Sequence, residues 1–241
     1  MRTISRFAVL FVLLFAVVVV ASGDPIVLTI SYSPPYSTPE HDGILELILI
    51  EAFARIGEEV TFRRLPAERG LIDANSGAAD GVVARIEGIE TIYPSLVRVP
   101  VATIESRDFV AFSRSGLPPI TRWDDLAPYN IAYVRGWKIL ERSVPETRSE
   151  LRVHSTDMAF GLLLRSRVDV VLSARLDGLV TARRLGLTDL RVHEPPLASL
   201  SLYPFLNRRL EHLVEPLERA LRAMKDDGTF SEIYDTVIAH E

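Results

Sequence analysis

The hydrophobic positions of the first half of the chain predict alternating strands and helices. Residues 26–32 are β-branched and apolar, which is typical of a buried strand, and the two prolines that follow require a turn. From Ile44 onward apolar residues recur at helical spacing, until Gly57 ends the pattern. The same reasoning predicts strands at 60–65, 80–84 and 101–113, and a short helix at 66–75.

The alternation restarts after the Pro-rich segment at 116–119. Strands are predicted at 130–134, 151–154, 168–173 and 191–193, with helices between them that begin near Trp137, Ser155 and Asp177. An extended segment at 200–205 leads into one long amphipathic helix at 207–224 and a last helix at 230–238. Two strand–helix units separated by a break predict an α/β fold with mainly parallel sheets.

The order of the elements predicts two lobes connected by two crossings. Because the final helices follow the second unit, we expect the chain to return to the first lobe. The crossings are predicted at 112–113 going out and at 200–202 coming back. Lobe 1 then comprises 24–112 and the return segment 200–241, and lobe 2 comprises 113–199. Two lobes on two strands form a hinge, and the cleft between them is the natural ligand site.

The N-terminal segment has the features of a signal peptide. Arg2 and Arg6 precede an apolar run of 15 residues at 7–21, which is shorter than the roughly 20 that a spanning helix needs. Small residues at 21–23 match the pattern that a signal peptidase recognises. We predict a cleaved signal peptide at 1–23 and a periplasmic protein; a retained membrane anchor is the alternative.

Composition and charge exclude several classes of protein. A hydrophobic content of 48% with 24% charged residues is that of a globular chain. The absence of Cys excludes disulfides, a thiol nucleophile, Cys-based metal sites and a lipoprotein anchor. A net charge of −5 gives little support to nucleic-acid binding. The five His are scattered without ligand spacing, so neither a metal nor a cofactor is predicted, and no catalytic motif supports Ser-His-Asp chemistry.

Several loose motifs occur in an order known from one family. They are Ser33-Pro34-Pro35-Tyr36 followed by Asp42-Gly43, Leu65-Pro66-Ala67-Glu68-Arg69, the segment 75–81, Arg167-Val168-Asp169, and the segment 224–230. In this order the chain resembles the type II periplasmic solute-binding proteins of solute-binding family 3, typified by amino-acid receptors. The resemblance covers nearly the whole chain after the signal segment. It implies a two-lobe fold with two hinge crossings, and a solute that is bound by lobe closure.

The chain departs from the amino-acid receptors at two places. Their Thr-rich turn, with an Arg that binds the α-carboxylate, is replaced by the segment 81–88, in which Arg85 is the candidate substitute. Their ammonium-binding acid, five residues after the equivalent of Asp169, is Ala174 here. The resemblance therefore favours an anionic or carboxylate-bearing solute over a standard α-amino acid.

Candidate binding residues lie in the loops that follow the strands, because ligands of α/β sheets bind there, near helix N-termini. Each has a structural alternative, such as packing of an aromatic ring within its own lobe, an ion pair with a neighbour, or a helix cap. For Tyr32 the packing role is favoured, and for Thr156 and Asp157 a capping role is favoured. The candidates are Tyr36, Glu68, Arg69, Arg85, Arg135, Trp137, Thr156 and Asp157.

These observations predict a monomeric periplasmic substrate-binding protein without catalytic residues. The resemblance implies that it delivers its solute to an ABC-type membrane permease. A sensor-coupled ligand-binding module is an alternative that the sequence does not separate from transport. A periplasmic enzyme on the same fold, of the cyclohexadienyl dehydratase type, is the other alternative and would use Glu68 or Asp157 as its acid.

Overall fold

The computed structural model describes residues 24–239, so the predicted signal peptide at 1–23 lies outside the described residues. The strands are β1 (Ile26–Ile30), β2 (Val60–Arg64), β3 (Gly81–Arg85), β4 (Leu96–Arg98), β5 (Ile104–Arg114), β6 (Asn130–Val134), β7 (Ser149–Val153), β8 (Val170–Ala174), β9 (Leu190–Val192) and β10 (Ala198–Asn207). The helices are α1 (Ile44–Ala54), α2 (Ala67–Ser76), α3 (Lys138–Ser143), α4 (Thr156–Leu164), α5 (Arg175–Arg184), α6 (Val214–Asp226) and α7 (Thr229–Ala239).

The first lobe is a parallel sheet in the order β2-β1-β3 with helices on both faces. Strands β1 and β3 are largely buried on both sides, whereas the edge strand β2 is mostly exposed. Ile26, Leu28 and Ile30 enter a core shared with α1, α6 and α7, whereas Val82 enters a smaller core with α2 on the other face. The loops at the carboxyl ends of β1 and β3 therefore emerge at one edge of this sheet.

The second lobe repeats this arrangement. Strands β7, β6 and β8 are parallel, with Ile131 opposite Val170 and Ala132 opposite Val171. One core packs α4 and α5 against the sheet, and the other packs the residues around Tyr133 on the opposite face.

Strands β5 and β10 connect the two lobes. They pair antiparallel, with Ala198 opposite Phe109 and Leu202 opposite Ile104, and the second half of β10 pairs with β3 and β4. The ladder is therefore continuous from β2 to β7 through these two strands, whereas each lobe keeps its own cores. The predicted two-lobe α/β fold with two crossings is confirmed; the expectation of mainly parallel sheets is wrong for the crossing strands.

The outward crossing lies earlier than the predicted position at 112–113. Phe112 pairs with Val171 and packs edge-to-face on Phe160 at 5.1 Å between ring centroids, inside the second-lobe core. The pairing of Ile104 with Leu202 instead places the crossing at the start of β5. The predicted strand at 101–113 crosses between the lobes near its polar interruption at 105–108 and not at its end.

The predicted single helix at 207–224 is two elements. A 3₁₀ segment, Arg208–Leu213, comes first, and Leu210 within it has non-helical φ and ψ of −105° and 20°. Helix α6 then starts at Val214, with Pro216 in its first turn, where the missing N–H of proline is tolerated. Within residues 24–239 no helix combines the length and apolar character that crossing a bilayer demands.

We expect hydrogen bonds at the junction between α6 and α7 to weaken in acid and so to lower the stability of the fold. Asp227 accepts hydrogen bonds from the side chain and backbone N–H of Thr229, at 2.6 and 3.0 Å, and from Arg55, the residue after α1, at 2.6 Å. These bonds lower the pKa of Asp227 from 3.8 to about 2. A lowered pKa stabilises the fold above pH 3.8, and this contribution is lost as the pH falls through the interval to 2. Urea unfolding in this interval should show a smaller acid loss for Asp227→Asn; equal pH profiles would contradict this role.

Candidate functional site

The loop between β1 and α1 is held by the helix that follows it. Gly43 provides no side-chain cap for α1, and the backbone carbonyls of Pro35 and Tyr36 accept the N–H groups of Ile44 and Leu45 at 3.0 and 2.9 Å. This satisfies two of the N–H groups that a helix start leaves free. The Tyr36 ring, which is 4% exposed, is thereby fixed at the carboxyl end of β1.

A polar network around the buried Ser37 and Glu46 also holds this loop. Ser37 donates to the carboxylate of Glu46 in α1, and Arg64 donates to the Ser37 hydroxyl at 2.6 Å. Glu46 is fully buried, and this burial raises its pKa, against the lowering effect of the Ser37 hydrogen bond. The network leaves no room beside Gly43, since a Cβ there would lie 2.6 Å from Ser37 Cα.

We therefore expect Gly43→Ala to displace the loop that carries Tyr36. The clash is with backbone atoms, which cannot rotate away, so the fold should lose about 1–3 kcal/mol, the usual cost of overpacking. Urea unfolding measures this loss. Gly161→Ala in α4 is the matched control, because its added Cβ meets only the flexible end of Arg165. Equal stability of the two variants would contradict the tight packing of the loop.

Arg107 of β5 lies at the centre of a cluster that draws on both lobes. Its guanidinium carbon is 5.2 Å from the ring centroid of Tyr32 and 4.8 Å from that of Tyr36, both from the first lobe. It is 5.7 Å from the ring centroid of Trp137 in the second lobe. Arg107 Nη2 donates to both carboxylate oxygens of Asp177, in the first turn of α5, at 3.1 and 3.2 Å. Below, these five residues are called the Arg107 cluster.

The charges of the Arg107 cluster are removed from water. Arg107 is 8% exposed, and burial opposes its charged form, but the carboxylate of Asp177 holds its pKa above the usual value. Burial raises the pKa of Asp177, and Arg107 counteracts this. Burial also raises the pKa of Tyr36 and brings that of the neighbouring Tyr234 to about 12, so both hydroxyls stay protonated at neutral pH.

Arg85 lies beside this cluster at the end of β3. It is 9% exposed, and its guanidinium carbon is 5.9 Å from the Tyr32 ring centroid. It donates to the carbonyls of Ala84 and Ala67 at 2.7 and 3.4 Å, and to Ser31 Oγ at 3.1 Å. Within residues 24–239, Arg85 Nε and Arg107 Nη1 are buried without a hydrogen-bond partner. The site therefore has two guanidinium groups with donors to spare, against one carboxylate.

The topology explains why these groups meet. The carboxyl ends of parallel strands share one edge of a sheet, and this edge carries Tyr32 and Arg85 in the first lobe. In the second lobe, Trp137 follows β6, and Asp177 lies in the helix after β8. Since β5 runs between the lobes, it places Arg107 where the two edges face each other.

The other predicted residues lie outside this cluster. Glu68 in α2 accepts from the hydroxyl of Tyr93 at 2.5 Å, and Arg69 pairs with Asp73 of the same helix at 2.7 Å. The remaining three lie in the second lobe: Arg135, which is exposed after β6, Thr156 at the start of α4, and Asp157, which forms an ion pair with Arg184.

The capping role that the sequence favours for Thr156 and Asp157 is wrong. Ser155 is the capping residue, because its hydroxyl accepts the N–H of Met158 at 3.2 Å. Thr156 is the first helical residue, and Asp157 follows it in the first turn.

Sequence reasoning missed Arg107 and Asp177 and favoured a packing role for Tyr32. Tyr32 does pack in its lobe, since its hydroxyl donates to the Ala84 carbonyl at 3.1 Å, but its ring also faces both guanidinium groups. The available signal for Arg107 was its place in a polar interruption, 105–108, of a long apolar strand. In a chain whose basic residues are arginines with only two exceptions, that signal is weak.

One buried Ser–His pair has the wrong geometry for catalysis. His193 Nδ1 accepts the N–H of Ile120 at 3.0 Å, so the ring proton is on Nε2. Nε2 lies 2.8 Å from Ser113 Oγ, and therefore donates to it rather than accepting its proton. Burial lowers the pKa of His193, which favours this neutral form. Among the described residues, no group of His, Asp and Glu is arranged to hold a metal ion.

Two shallow grooves lie beside the crossing strands. One, of about 460 Å³, is bordered by α6 and by the ion pair between Lys225 and Glu105. The other, of about 330 Å³, is bordered by α7 and by the Tyr234 side chain. In the first groove, Arg222 and Lys225 are each paired with a glutamate of the chain, in contrast to the free donors of Arg85 and Arg107.

Comparison of the sequence with known proteins gives limited information. No protein-family model matches the chain. A protein of Shewanella oneidensis, described only as "Uncharacterized protein", is 27% identical over 207 residues, which are 81% of this chain and 77% of that protein.

Comparison of the fold is more informative. The ligand-binding core of GluR0 from Nostoc punctiforme, solved with L-glutamate, aligns with a TM-score of 0.71 at 19% identity and covers 88% of this chain and 98% of its own. A histidine kinase sensor domain similar to periplasmic binding proteins has a TM-score of 0.68 at 18% identity, over 89% and 96% of the two chains. The substrate-binding protein of an amino-acid ABC transporter has a TM-score of 0.66 at 15% identity, over 88% and 97%. As the resemblance in its motifs predicted, this chain has the fold of the type II periplasmic solute-binding proteins.

Proposed function

We propose that the protein captures a small, carboxylate-bearing anion by closure of its two lobes. The observation that carries this proposal is the Arg107 cluster with its neighbour Arg85: buried and half-buried groups from both lobes and a crossing strand converge there. Two guanidinium groups against the carboxylate of Asp177 leave one positive charge, and a carboxylate is the planar partner that guanidinium binds with two parallel hydrogen bonds.

Closure follows from where the groups lie. Tyr32 and Tyr36 belong to the first lobe, whereas Trp137 and Asp177 belong to the second. A solute that contacts both sets stabilises the closed arrangement in proportion to its preference for that state. Of the residues predicted from the sequence, Tyr36, Arg85 and Trp137 are the ones we assign to binding.

The finer assignment is a monomeric periplasmic receptor that delivers its solute to an ABC-type permease. It is supported by the signal-like segment at 1–23 and by a structural neighbour from an amino-acid ABC transporter. A sensor-coupled module is the second candidate, because another neighbour is a histidine kinase sensor domain. The adjacent genes distinguish them, since a permease and ATPase pair favours uptake and a sensor kinase favours signalling.

We infer that the protein binds its solute without catalysing a reaction on it. Of the two acids considered for an enzyme, Glu68 accepts a hydrogen bond from Tyr93, and Asp157 forms an ion pair with Arg184. The buried acid of the cluster, Asp177, is engaged by Arg107. Turnover of a bound solute that is lost in Glu68→Gln, with the fold retained, would instead establish the enzyme.

A thermal-shift panel of mono- and dicarboxylates, with phosphate and chloride as anion controls, tests the proposal. A solute at 100 times its Kd should stabilise the fold by about 2.7 kcal/mol. The shift should be lost in Arg85→Met and Arg85→Lys but kept in Arg69→Met, whose side chain is exposed and paired within α2. If no carboxylate raises the Tm, or if the Arg85 variants respond as the native chain does, the assignment of this site is wrong.

A further inference from the structure

The surroundings of the Arg107 guanidinium are those of a binding site for an organic cation. Three aromatic rings lie within 6 Å of its central carbon, the range in which a cation is attracted to a ring face. A buried carboxylate, Asp177, accepts from its Nη2 on both oxygens. Rings and carboxylate come from two lobes, so the guanidinium lies between them as a small cationic ligand would.

The acids near this position are already neutralised by the chain. Asp177 is 12% exposed and is paired with Arg107. Along β5, Glu105 is paired with Lys225 at 2.6 Å, and Asp108 with Arg175 at 3.2 Å. A second cation entering the cleft would meet Arg107 and Arg85 without a free carboxylate of the cluster, and burying an unpaired charge is strongly unfavourable.

The donors that remain free are all cationic. Within residues 24–239, the buried and unpartnered donors beside the Tyr32 ring are Arg85 Nε and Arg107 Nη1. Such donors stabilise an oxyanion and repel an ammonium group. The site thus has the means to bind one half of an amino acid, its carboxylate, and lacks the means to bind the other half.

We infer that Arg107 is a built-in substitute for the cationic group of a solute, so that the cleft accepts carboxylates without a positive charge and rejects α-amino acids. This inference rests on the proposed function and narrows its substrate class. Arg107 supplies the cation between the three aromatic rings, and the solute contributes only the anion.

Matched pairs of solutes test this selectivity on the native chain. Each pair is an α-amino acid and the acid that lacks only the amino group: glutamate and glutarate, phenylalanine and 3-phenylpropionate, alanine and propionate. In calorimetric titrations, the member without the amino group should bind at least tenfold more tightly in every pair that shows binding. An amino acid that binds as tightly as its counterpart overturns this inference but leaves the proposed function intact. If neither member of any pair binds, and no carboxylate in the wider panel does, the proposed function fails as well.

A variant tests whether the three rings and Asp177 form a binding site for a cation. In Arg107→Ala the rings and Asp177 remain without the guanidinium, and added N-ethylguanidinium should raise the Tm of the variant but not that of the native chain. N-ethylurea, which has nearly the same shape but no charge, is the control and should raise neither. An equal response of the native chain, or no response of a folded variant, overturns the assignment. If the variant does not fold alone, recovery of the folded state in N-ethylguanidinium but not in N-ethylurea supports it, and its failure in both overturns it.

Discussion

Arg107→Met is expected to destabilise the protein by about 3–5 kcal/mol. The substitution removes one partner of a buried ion pair and leaves Asp177, 12% exposed, without its counter-charge. Burial already raises the pKa of Asp177, and Arg107 lowers it. Removal of Arg107 should therefore raise the pKa of Asp177 further. A raised pKa stabilises the fold at low pH and loses this effect as the pH rises, so the deficit should be smaller in acidic than in neutral buffer.

Urea unfolding of three variants decides whether this pair is buried as the structure shows. The double variant Arg107→Met with Asp177→Asn removes both charges and should recover much of the lost stability. Arg69→Met is the surface control: its partner is Asp73, its side chain is 67% exposed, and such a pair contributes about 0–1 kcal/mol. If Arg107→Met costs no more than Arg69→Met, the Arg107–Asp177 pair is not buried in solution as the structure shows.

Phe112→Ala is expected to cost about 3–5 kcal/mol, as for other fully buried aromatic residues. Phe112 is 0% exposed and contacts Phe160 edge-to-face. Helix α5 packs directly on it, since a Cβ on Gly178 would lie 2.3 Å from the ring. The loss would come from a cavity between β5 and the helices of the second lobe, and it is measured by urea unfolding.

Phe62→Ala in β2 provides the comparison. Phe62 is half-buried, and its ring packs against His41 at 5.7 Å between centroids, so its removal exposes little new cavity. We expect a clearly smaller loss of stability than for Phe112→Ala. Equal losses would contradict the placement of Phe112 in the core of the second lobe.

Local patterns predicted most elements because the central strands β1, β3, β6 and β8 are short and largely buried, and because α6 is amphipathic. The strand at 130–134 agrees with β6 at both ends. Two features escaped these patterns because they depend on distant contacts. The short strand β4 was missed because it forms only by pairing with Phe205 and its neighbours in β10. The crossing was misplaced because its position depends on the pairing of Ile104 with Leu202, which is distant in sequence.

The site was harder to predict than the fold. The rule that ligands bind after the carboxyl ends of strands gave eight candidates, of which the structure brings Tyr36, Arg85 and Trp137 together around the Tyr32 ring and Arg107. Arg107 lies on a crossing strand instead, where that rule does not apply. Asp177 was treated as the start of a helix, because nothing local reveals an ion pair with a residue 70 positions earlier.

If the two lobes close on a small anion, the distance between them changes when the anion binds. The native chain has no Cys, so spin labels can be placed at Ile72→Cys in α2 and Met158→Cys in α4, both exposed and in different lobes. A second pair, Ile72→Cys with Ile92→Cys, lies within the first lobe and is the control.

Pulsed electron paramagnetic resonance then measures both distances with and without the carboxylate that raises the Tm most. We expect the distribution between positions 72 and 158 to shift and narrow on binding, while the distribution between 72 and 92 stays the same. An interlobe distance that no carboxylate changes, or a change of equal size in the control pair, would contradict closure of two rigid lobes around a solute.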